Sequence, residues 1–172
     1  ENNRHNIGFK IIDAINQEFG LSKQKPKFKG LLTTGTISGK KVYAIKPLTF
    51  MNNSGICIRE LIEYFKIDSG DVIVFHDDLD INFGKIKTKF GGSSAGHHGI
   101  ESIDKFIGKD YSRVRIGIGH PEEKIEIDNH VLQDFNDDEK EELSSITKNI
   151  TDSISILLDK KLDLFSSTVN NK

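Results

Sequence analysis

The segment from His76 to Gly99 holds most of the residues in this chain that could carry out chemistry. An acidic cluster, His76-Asp77-Asp78-Leu79-Asp80, is followed by lysines at alternate positions and by a glycine-rich stretch with two histidines. The apolar run Val72-Ile73-Val74-Phe75 predicts a buried strand of a parallel sheet, so the acidic cluster would lie just past the carboxyl end of that strand. Acids, bases, cations and a flexible loop within about one βαβ unit indicate an enzyme that acts on an anionic substrate.

The acidic cluster has three possible interpretations. Asp77, Asp78 and Asp80 are solvated turn residues, or they bind a metal together with His76, or one carboxylate orients a catalytic histidine. Asp78 and Asp80 have the DxD spacing of hard oxygen ligands, and the His97-His98 pair would supply the second set of metal ligands. The residues alone leave these three interpretations open.

The glycine-rich stretch Gly92-Ser93-Ser94-Ala95-Gly96 matches the G-x-S-x-G pattern of a nucleophilic serine between a strand and a helix. The preceding strand is rich in lysine, however, and that context requires a buried central strand. The glycines serve equally well in a mobile loop or where backbone approaches a ligand. Ser94 is therefore a candidate nucleophile with a non-catalytic alternative.

The composition is that of one globular domain of 172 residues, with 29% charged and 35% hydrophobic residues. A net charge of −2 argues against a protein that coats nucleic acid through its overall field, but it is compatible with a local basic clamp. No apolar run approaches the roughly 20 residues of a membrane span, so we expect no membrane partner. The single cysteine, Cys57, is interpreted as a core residue, and the whole composition fits the cytoplasm.

The elements that position these residues follow from hydrophobic periodicity. Apolar residues at helical spacing predict helices over 7–19, 58–65 and 100–107 and one long C-terminal helix over 143–157. A hairpin is predicted from Lys29 to Lys46, and strands over 71–75, 84–90 and 113–118. This order predicts an α/β fold, a single domain with a mixed twisted β-sheet flanked by helices on both faces.

The segment from Lys46 to Gly55 combines apolar and amide side chains at a strand-to-helix turn. Asn52 or Asn53 could cap the following helix, or an amide could donate to a ligand. Capping would explain one asparagine but not the neighbouring Phe50 and Met51.

Five motifs along the chain resemble those of bacterial peptidyl-tRNA hydrolases, in the family order and over nearly the whole chain. They are Arg4-His5-Asn6-Ile7-Gly8, Lys46 to Gly55, His76 to Asp80, Gly91 to Gly99 with Ser102-Ile103, and Arg113 to Pro121. The resemblance implies one domain of residues 1–172 that hydrolyses the ester joining a peptide to the 3′ ribose of tRNA, which recycles tRNA from stalled translation. It also implies a monomer that needs no cofactor or metal, with tRNA carrying a peptide or an N-blocked amino acid as its partner.

The resemblance also implies roles for the matching residues. His5 would be the general base that activates water, Asp77 the carboxylate that orients it, and Asn52 an amide that orients the substrate. The implied substrate and tRNA contacts are Phe50 at the terminal nucleotide region, Met51, His97 and His98, with Lys89 and Arg115 as a clamp on a phosphate. Without the resemblance, the lysines of 84–90 and the arginines of 113–118 would be interpreted as two solvated basic faces.

Two features depart from the family pattern. Family members usually have a short first strand and an Asn-Pro-Gly turn before the Arg-His-Asn motif; this sequence starts too late to show them, and we expect the native amino terminus to be missing from it. Position 98 is a histidine, where the family usually has asparagine. Three other functions stay open: a non-catalytic RNA-binding relative of the same fold, a serine esterase that uses Ser94, and a metal-dependent phosphohydrolase.

Overall fold

The computed structural model describes residues 3–121 and 126–172 and divides into two compact units. The first unit consists of Glu1–Glu18, Phe75–Lys89 and Val114–Lys172, and the second of Phe19–Val74 and Phe90–Arg113. Neither unit is one continuous stretch of sequence, because the chain passes from one to the other and back.

The second unit contains an antiparallel sheet in the order β1-β2-β3, with β1 at Lys25–Lys27, β2 at Gly30–Ile37 and β3 at Lys40–Pro47. Ile37 pairs with Lys40, which leaves Ser38 and Gly39 as a two-residue turn. Their φ angles of 50° and 78° are those required for a hairpin turn that follows the strand twist. The predicted hairpin is confirmed, and β1 adds a short strand that the sequence did not predict.

The helices of the second unit are α2 (Ser54–Phe65) and α3 (His98–Ile107), with 3-10 turns at Met51–Asn53 and Ser69–Asp71. Gly108 follows the last residue of α3 with a φ of 80°, in agreement with the predicted helix end at 107. Ile58, Ile103 and Tyr111 form a buried cluster that joins the apolar faces of the two helices. The buried Cys57 thiol has its pKa raised to about 12 by burial and by the charge of Glu60, so it stays protonated, as expected of a core residue.

The first unit begins with a 3-10 turn at Arg4–Asn6 and α1 at Ile7–Glu18. Its C-terminal part contains α4 (Ile127–Leu132), α5 (Asp137–Asp152), α6 (Ile154–Leu158) and α7 (Leu162–Asn170). The prediction of one long C-terminal helix is wrong, because Ser153, at φ −109° and ψ 6°, separates α5 from α6. The apolar spacing continues across this break, which is why periodicity alone did not reveal it.

A second sheet contains β4 (Ile73–Asp78), β5 (Ile86–Phe90) and β6 (Ser112–Gly117), and most of their residues belong to the first unit. The strand order is β4-β6-β5. The Ile118 N–H donates to the Asp78 carbonyl at 3.0 Å, and the Ser112 N–H donates to the Val72 carbonyl at 3.0 Å. These two hydrogen bonds join residues with the same separation in sequence, so the residue numbers of the two strands increase in the same direction. The strands β4 and β6 are therefore a parallel pair.

The mixed α/β class predicted from the sequence is confirmed, with the strands divided between two three-stranded sheets instead of one. Asp77 and Asp78 are the last residues of β4, so the acidic cluster begins inside the strand and not after it. Among the described helices, none is long and apolar enough to cross a membrane.

Candidate active site

His5 and Asp77 meet within the first unit. The Nδ1 atom of His5 lies 2.9 and 3.0 Å from the two carboxylate oxygens of Asp77. The side chain of Asp77 is only 4% exposed, whereas that of His5 is 20% exposed. Because a carboxylate accepts hydrogen bonds, this contact assigns the proton of the neutral imidazole to Nδ1 and leaves Nε2 as the basic atom.

Gly8 allows the His5 turn to approach β4 closely. A Cβ atom at Gly8 would lie 2.4 Å from the carbonyl oxygen of Phe75, which is nearer than van der Waals contact permits. Gly8 is three residues after His5, and Phe75 is two residues before Asp77. The missing side chain therefore lets α1 pack on the strand at the point that brings the imidazole to the carboxylate.

Arg4 anchors the His5 turn from the other side. Its Nη2 atom donates to both carboxylate oxygens of Glu139 at 2.8 and 2.9 Å, and its Nη1 atom donates to the Asp134 carbonyl at 2.7 Å. The guanidinium also lies 5.0 Å from the centre of the Phe135 ring. Arg4 is thus a buried structural residue that the sequence analysis missed, and the only signal was its position beside His5.

The environment of His5 favours the charged imidazolium. Burial lowers the pKa of His5, but the hydrogen bond and the negative charge of Asp77 raise it by more, so the pKa lies above the ordinary 6.5. This carboxylate therefore both fixes the tautomer and stabilises the imidazolium that forms when Nε2 accepts a proton.

The segment Phe50-Met51-Asn52 lies in the second unit and offers unpaired groups to solvent. Phe50 is 85% exposed, and the exposed Asn52 amide has no hydrogen-bond partner in the described part of the chain. The helix-capping alternative is wrong, because Asn53 occupies the cap position of α2 without a side-chain hydrogen bond. An exposed aromatic ring beside a free amide is a suitable surface for a ligand.

The turn that carries Asn52 is fixed by close packing of α2 on α3. A Cβ atom at Gly55 would lie 2.2 Å from the carbonyl oxygen of Ser102, and the Gly55 N–H donates to Ser102 Oγ at 3.0 Å. At the start of α3, the Met51 sulfur lies where a side chain on Gly99 would have to fit. These contacts hold the Met51–Asn53 turn against the first turn of α3.

His97 caps α3. Its Nδ1 atom accepts from the backbone N–H groups of Gly99 and Ile100 at 3.1 and 3.2 Å, which leaves a hydrogen on Nε2 in the neutral ring. His98 is the first residue of the helix, with its exposed ring 3.4 Å from Glu101. The two histidines therefore present their rings from a rigid helix start.

Arg115 and Lys89, the predicted phosphate clamp, lie in the first unit. Arg115 donates from Nε to Oδ2 of Asp78 at 2.8 Å. Its two Nη atoms have no hydrogen-bond partner among residues 3–121 and 126–172, and the exposed Lys89 has no carboxylate partner there either. Both cations are therefore available to an anion.

Arg113 does not belong to a solvated basic face. It is 2% exposed, and it donates from Nη2 to Oδ1 of Asp104 at 2.9 Å and from Nη1 to the Ser93 carbonyl at 2.8 Å. It thereby joins the glycine-rich loop to α3.

In the same loop, the hydroxyl of Ser94 donates to the carboxylate of Glu101 at 3.4 Å. In a catalytic triad a histidine is the base that activates the serine, and Glu101 is not a residue of that kind.

Comparison with known proteins identifies the family. A family model described as peptidyl-tRNA hydrolase matches residues 1–172. A peptidyl-tRNA hydrolase of Pelagibacter ubique (strain HTCC1062) is 80% identical over 172 residues, which are 100% of this chain and 92% of the relative. One from Bartonella henselae is 43% identical over 170 residues, which are 99% of this chain and 88% of the relative.

A solved structure agrees with both sequence comparisons. The crystal structure of peptidyl-tRNA hydrolase from Acinetobacter baumannii matches with a TM-score of 0.90 and 31% identity, covering 98% of this chain and 87% of that one. The fold is thus shared over nearly the full length of the chain. Together with the family model and the sequence relatives, this shows that the chain belongs to the peptidyl-tRNA hydrolase family, as its five motifs predict.

Proposed function

We propose that this chain hydrolyses the ester bond of peptidyl-tRNA, with His5 as the general base and Asp77 as the carboxylate that orients it. The observation that carries the proposal is the contact of His5 Nδ1 with both Asp77 oxygens, in a chain of this family. The products are free tRNA and a peptide, or an N-blocked amino acid, so the enzyme recycles tRNA from stalled translation.

In the proposed reaction, His5 Nε2 accepts a proton from water while the water oxygen attacks the ester carbonyl. The resulting imidazolium is stabilised by Asp77. When the tetrahedral intermediate collapses, the bond from the carbonyl carbon to the 3′ oxygen breaks, and His5 returns its proton to that oxygen. Water supplies the carboxyl oxygen of the peptide, and the enzyme is unchanged.

We assign five residues of the second unit to substrate contacts. The Asn52 amide would donate to the carbonyl oxygen as negative charge develops, a contribution of about 3–4 kcal/mol in comparable oxyanion sites. Phe50 would contact the terminal nucleotide, and Met51, His97 and His98 would complete the surface that the substrate meets. These assignments rest on motif match, on the exposure of Phe50 and on the unpaired Asn52 amide.

We also propose that Lys89 and Arg115 clamp a phosphate of the tRNA. The support is the free Nη atoms of Arg115, whose Nε is held by Asp78, and the exposed, unpaired Lys89.

The enzyme would act as a monomer. It would act in the cytoplasm, because translation supplies its substrate there. Analytical ultracentrifugation of the purified chain would test whether it is a monomer.

The decisive test is release of a labelled N-acetyl-aminoacyl group from tRNA, measured with a chelator present and against unblocked aminoacyl-tRNA. The unmodified chain should release the blocked group in both the presence and the absence of chelator. His5→Ala should lower kcat about 10²–10⁴-fold, the usual effect of losing a general base. His120→Ala is the matched control, because His120 is an exposed histidine paired with Asp80, and it should stay within a few-fold.

The same assay separates the alternatives. A chain that binds tRNA but releases no label would be a non-catalytic RNA-binding relative. Labelling of Ser94 by a fluorophosphonate, with loss of activity, would indicate a serine esterase. Loss of activity with chelator alone would indicate a metal-dependent reaction. Family membership supports hydrolysis of peptidyl-tRNA over a non-catalytic RNA-binding role and over a serine esterase of another kind.

A further inference from the structure

The second unit contains a long stretch of a single charge. Between Glu18 and Glu60 the sequence has no aspartate or glutamate, although the whole chain has a net charge of −2. This stretch includes all three strands of the antiparallel sheet. Its cations are Lys23, Lys25, Lys27, Lys29, Lys40, Lys41, Lys46 and Arg59. Such a local concentration of charge attracts a polyanion even when the overall field does not.

Aromatic rings lie directly beneath two of these lysines. The Nζ atom of Lys27 lies 4.1 Å from the ring centre of Tyr64 and 5.0 Å from that of Phe28. The Nζ atom of Lys41 lies 5.3 Å from the Tyr43 ring, which stacks on Phe65 with ring centres 4.0 Å apart. We call these two lysines and four rings the aromatic–lysine patch.

The patch is open to a partner. Tyr64 is 62% exposed, and Lys25 shares one face of β1 with Lys27. In the described part of the chain, no carboxylate lies within ion-pair distance of Lys25, Lys27 or Lys41. The charges of these lysines are therefore not neutralised by any residue within 3–121 or 126–172.

A cavity of about 520 Å³ adjoins the patch. It is lined by Pro26, Lys27, Lys29, Gly30, Leu48 and Thr49. The Oγ1 atom of Thr49, one of these lining residues, is buried and has no hydrogen-bond partner among the described residues. Thr49 precedes Phe50 directly, so the cavity wall continues into the segment to which we assign substrate contacts.

We propose that the aromatic–lysine patch and this cavity bind the RNA of the substrate away from the ester. The lysines would contact backbone phosphates, and the exposed Tyr64 ring would stack on an unpaired base. Lys29, which also lines the cavity, is paired with Glu60, so the unneutralised charge is that of Lys25, Lys27 and Lys41. RNA is the partner that this arrangement favours, because lysines beside an exposed aromatic ring can bind phosphates and an unpaired base together, and a lipid surface offers no base. This inference rests on the proposed function, since peptidyl-tRNA supplies the RNA.

The test compares two triple variants of equal charge change. Lys25→Gln, Lys27→Gln and Lys41→Gln together neutralise the proposed site. Lys140→Gln, Lys148→Gln and Lys161→Gln together are the control, because these exposed lysines lie on or beside helices of the first unit. Binding of deacylated tRNA is measured by fluorescence anisotropy at several salt concentrations, and melting temperatures verify that both variants are folded.

We expect the first triple variant to bind tRNA about tenfold or more weakly, with a salt slope reduced by about 1 for each phosphate that is no longer neutralised. KM for full-length peptidyl-tRNA should rise relative to KM for an ester of only the 3′-terminal nucleotides. Tyr64→Leu should weaken tRNA binding without changing the salt slope, because stacking is not an ionic contact.

An equal loss of affinity in the control triple variant would overturn the inference, as would unchanged tRNA binding in the first. Binding of the unmodified chain to phosphatidylserine vesicles, abolished in the first variant while tRNA binding is retained, would assign the patch to lipid instead. If the triple variant of Lys25, Lys27 and Lys41 has a lower melting temperature than the unmodified chain, Lys41→Gln alone must still reduce the salt slope of tRNA binding. Failure of the proposed function is distinct, since it appears as no hydrolysis of the minimal ester by the unmodified chain.

Discussion

Arg115 donates a hydrogen bond of 2.8 Å from Nε to Oδ2 of Asp78, whose side chain is 7% exposed. The other carboxylate oxygen of Asp78 accepts from the Asp80 N–H at 2.9 Å, so the backbone fixes the acid. A guanidinium held through Nε keeps both Nη groups free for a bidentate contact with phosphate. Asp78 is therefore a positioning residue for the proposed clamp, and Arg115 is the partner of its negative charge.

The clamp predicts a separation of binding from chemistry. Lys89→Ala with Arg115→Ala should raise KM for peptidyl-tRNA about tenfold or more and flatten its salt dependence, because two cations no longer bind the phosphate. The value of kcat should be nearly unchanged, since phosphate contacts position the nucleic acid but break no bond. Steady-state kinetics at several salt concentrations measure both quantities.

A minimal ester that carries only the 3′-terminal nucleotides is the control for the clamp. It should be hydrolysed equally well by the unmodified chain and the double variant. Equal losses of activity on the full and minimal substrates would mean that Lys89 and Arg115 support the active site or the fold.

The acid limb of the pH profile should depend on Asp77. Only neutral His5 can accept a proton, so kcat/KM should fall as pH drops through its pKa, which lies above 6.5. Asp77→Asn removes the charge that raises this pKa and leaves burial, which lowers it, so the acid limb should move to lower pH. The plateau value of kcat should fall about 10²–10⁴-fold, because the tautomer and orientation of His5 are no longer fixed.

The pH profile of kcat/KM between pH 5 and 9 measures this shift. A profile with an unchanged acid limb in Asp77→Asn would assign that limb to another group. A shift to higher pH would contradict the sign of the effect and with it the role of Asp77.

The sequence identified His5 and Asp77 through their motifs but not through any local pattern. The two residues are 72 positions apart, and periodicity describes only neighbours along one element. What brings them together is the packing of α1 on β4 at Gly8, where the absence of a side chain matters. Long-range packing of this kind is not encoded in alternation of apolar and polar residues.

Arg113 shows where the interpretation as a solvated basic face is wrong. Alternating arginines predict a polar face of a strand, but they do not show whether a partner from another element covers it. Asp104, nine positions earlier on α3, buries the guanidinium of Arg113. The hairpin at Ser38 and Gly39, by contrast, was predictable because its turn geometry is local.

Gly8→Ala tests the close approach of α1 to β4. The added Cβ would lie 2.4 Å from the Phe75 carbonyl oxygen, so the helix or the strand must move. We expect a loss of about 1–3 kcal/mol in the free energy of unfolding, as for other overpacked sites, together with a lower kcat. Urea unfolding and steady-state kinetics measure these effects, and normal stability with normal kcat would show that the approach is not needed.

The buried pair of Arg113 and Asp104 should dominate the stability of the second unit. Arg113→Met would leave the Asp104 carboxylate buried without its cation, although the hydroxyl of Tyr111 still donates to it at 2.8 Å. Burial raises the pKa of Tyr111, and so does that hydrogen bond, so the hydroxyl remains a donor at neutral pH. Loss of one partner of such a pair costs about 3–5 kcal/mol, far more than an exposed pair contributes.

Lys148→Met is the matched control, since Lys148 forms an exposed pair with Asp152 on α5. That change should cost less than about 1 kcal/mol. Urea unfolding with the slope of the transition compared between variants measures both costs, and Arg113→Lys provides a milder change if Arg113→Met does not fold. Because Arg113 also donates to the Ser93 carbonyl, amide hydrogen exchange should increase in the glycine-rich loop of the Arg113 variants and stay unchanged in Lys148→Met. Equal stability of the Arg113 variants and the control would show that the buried guanidinium contributes no more than an exposed lysine.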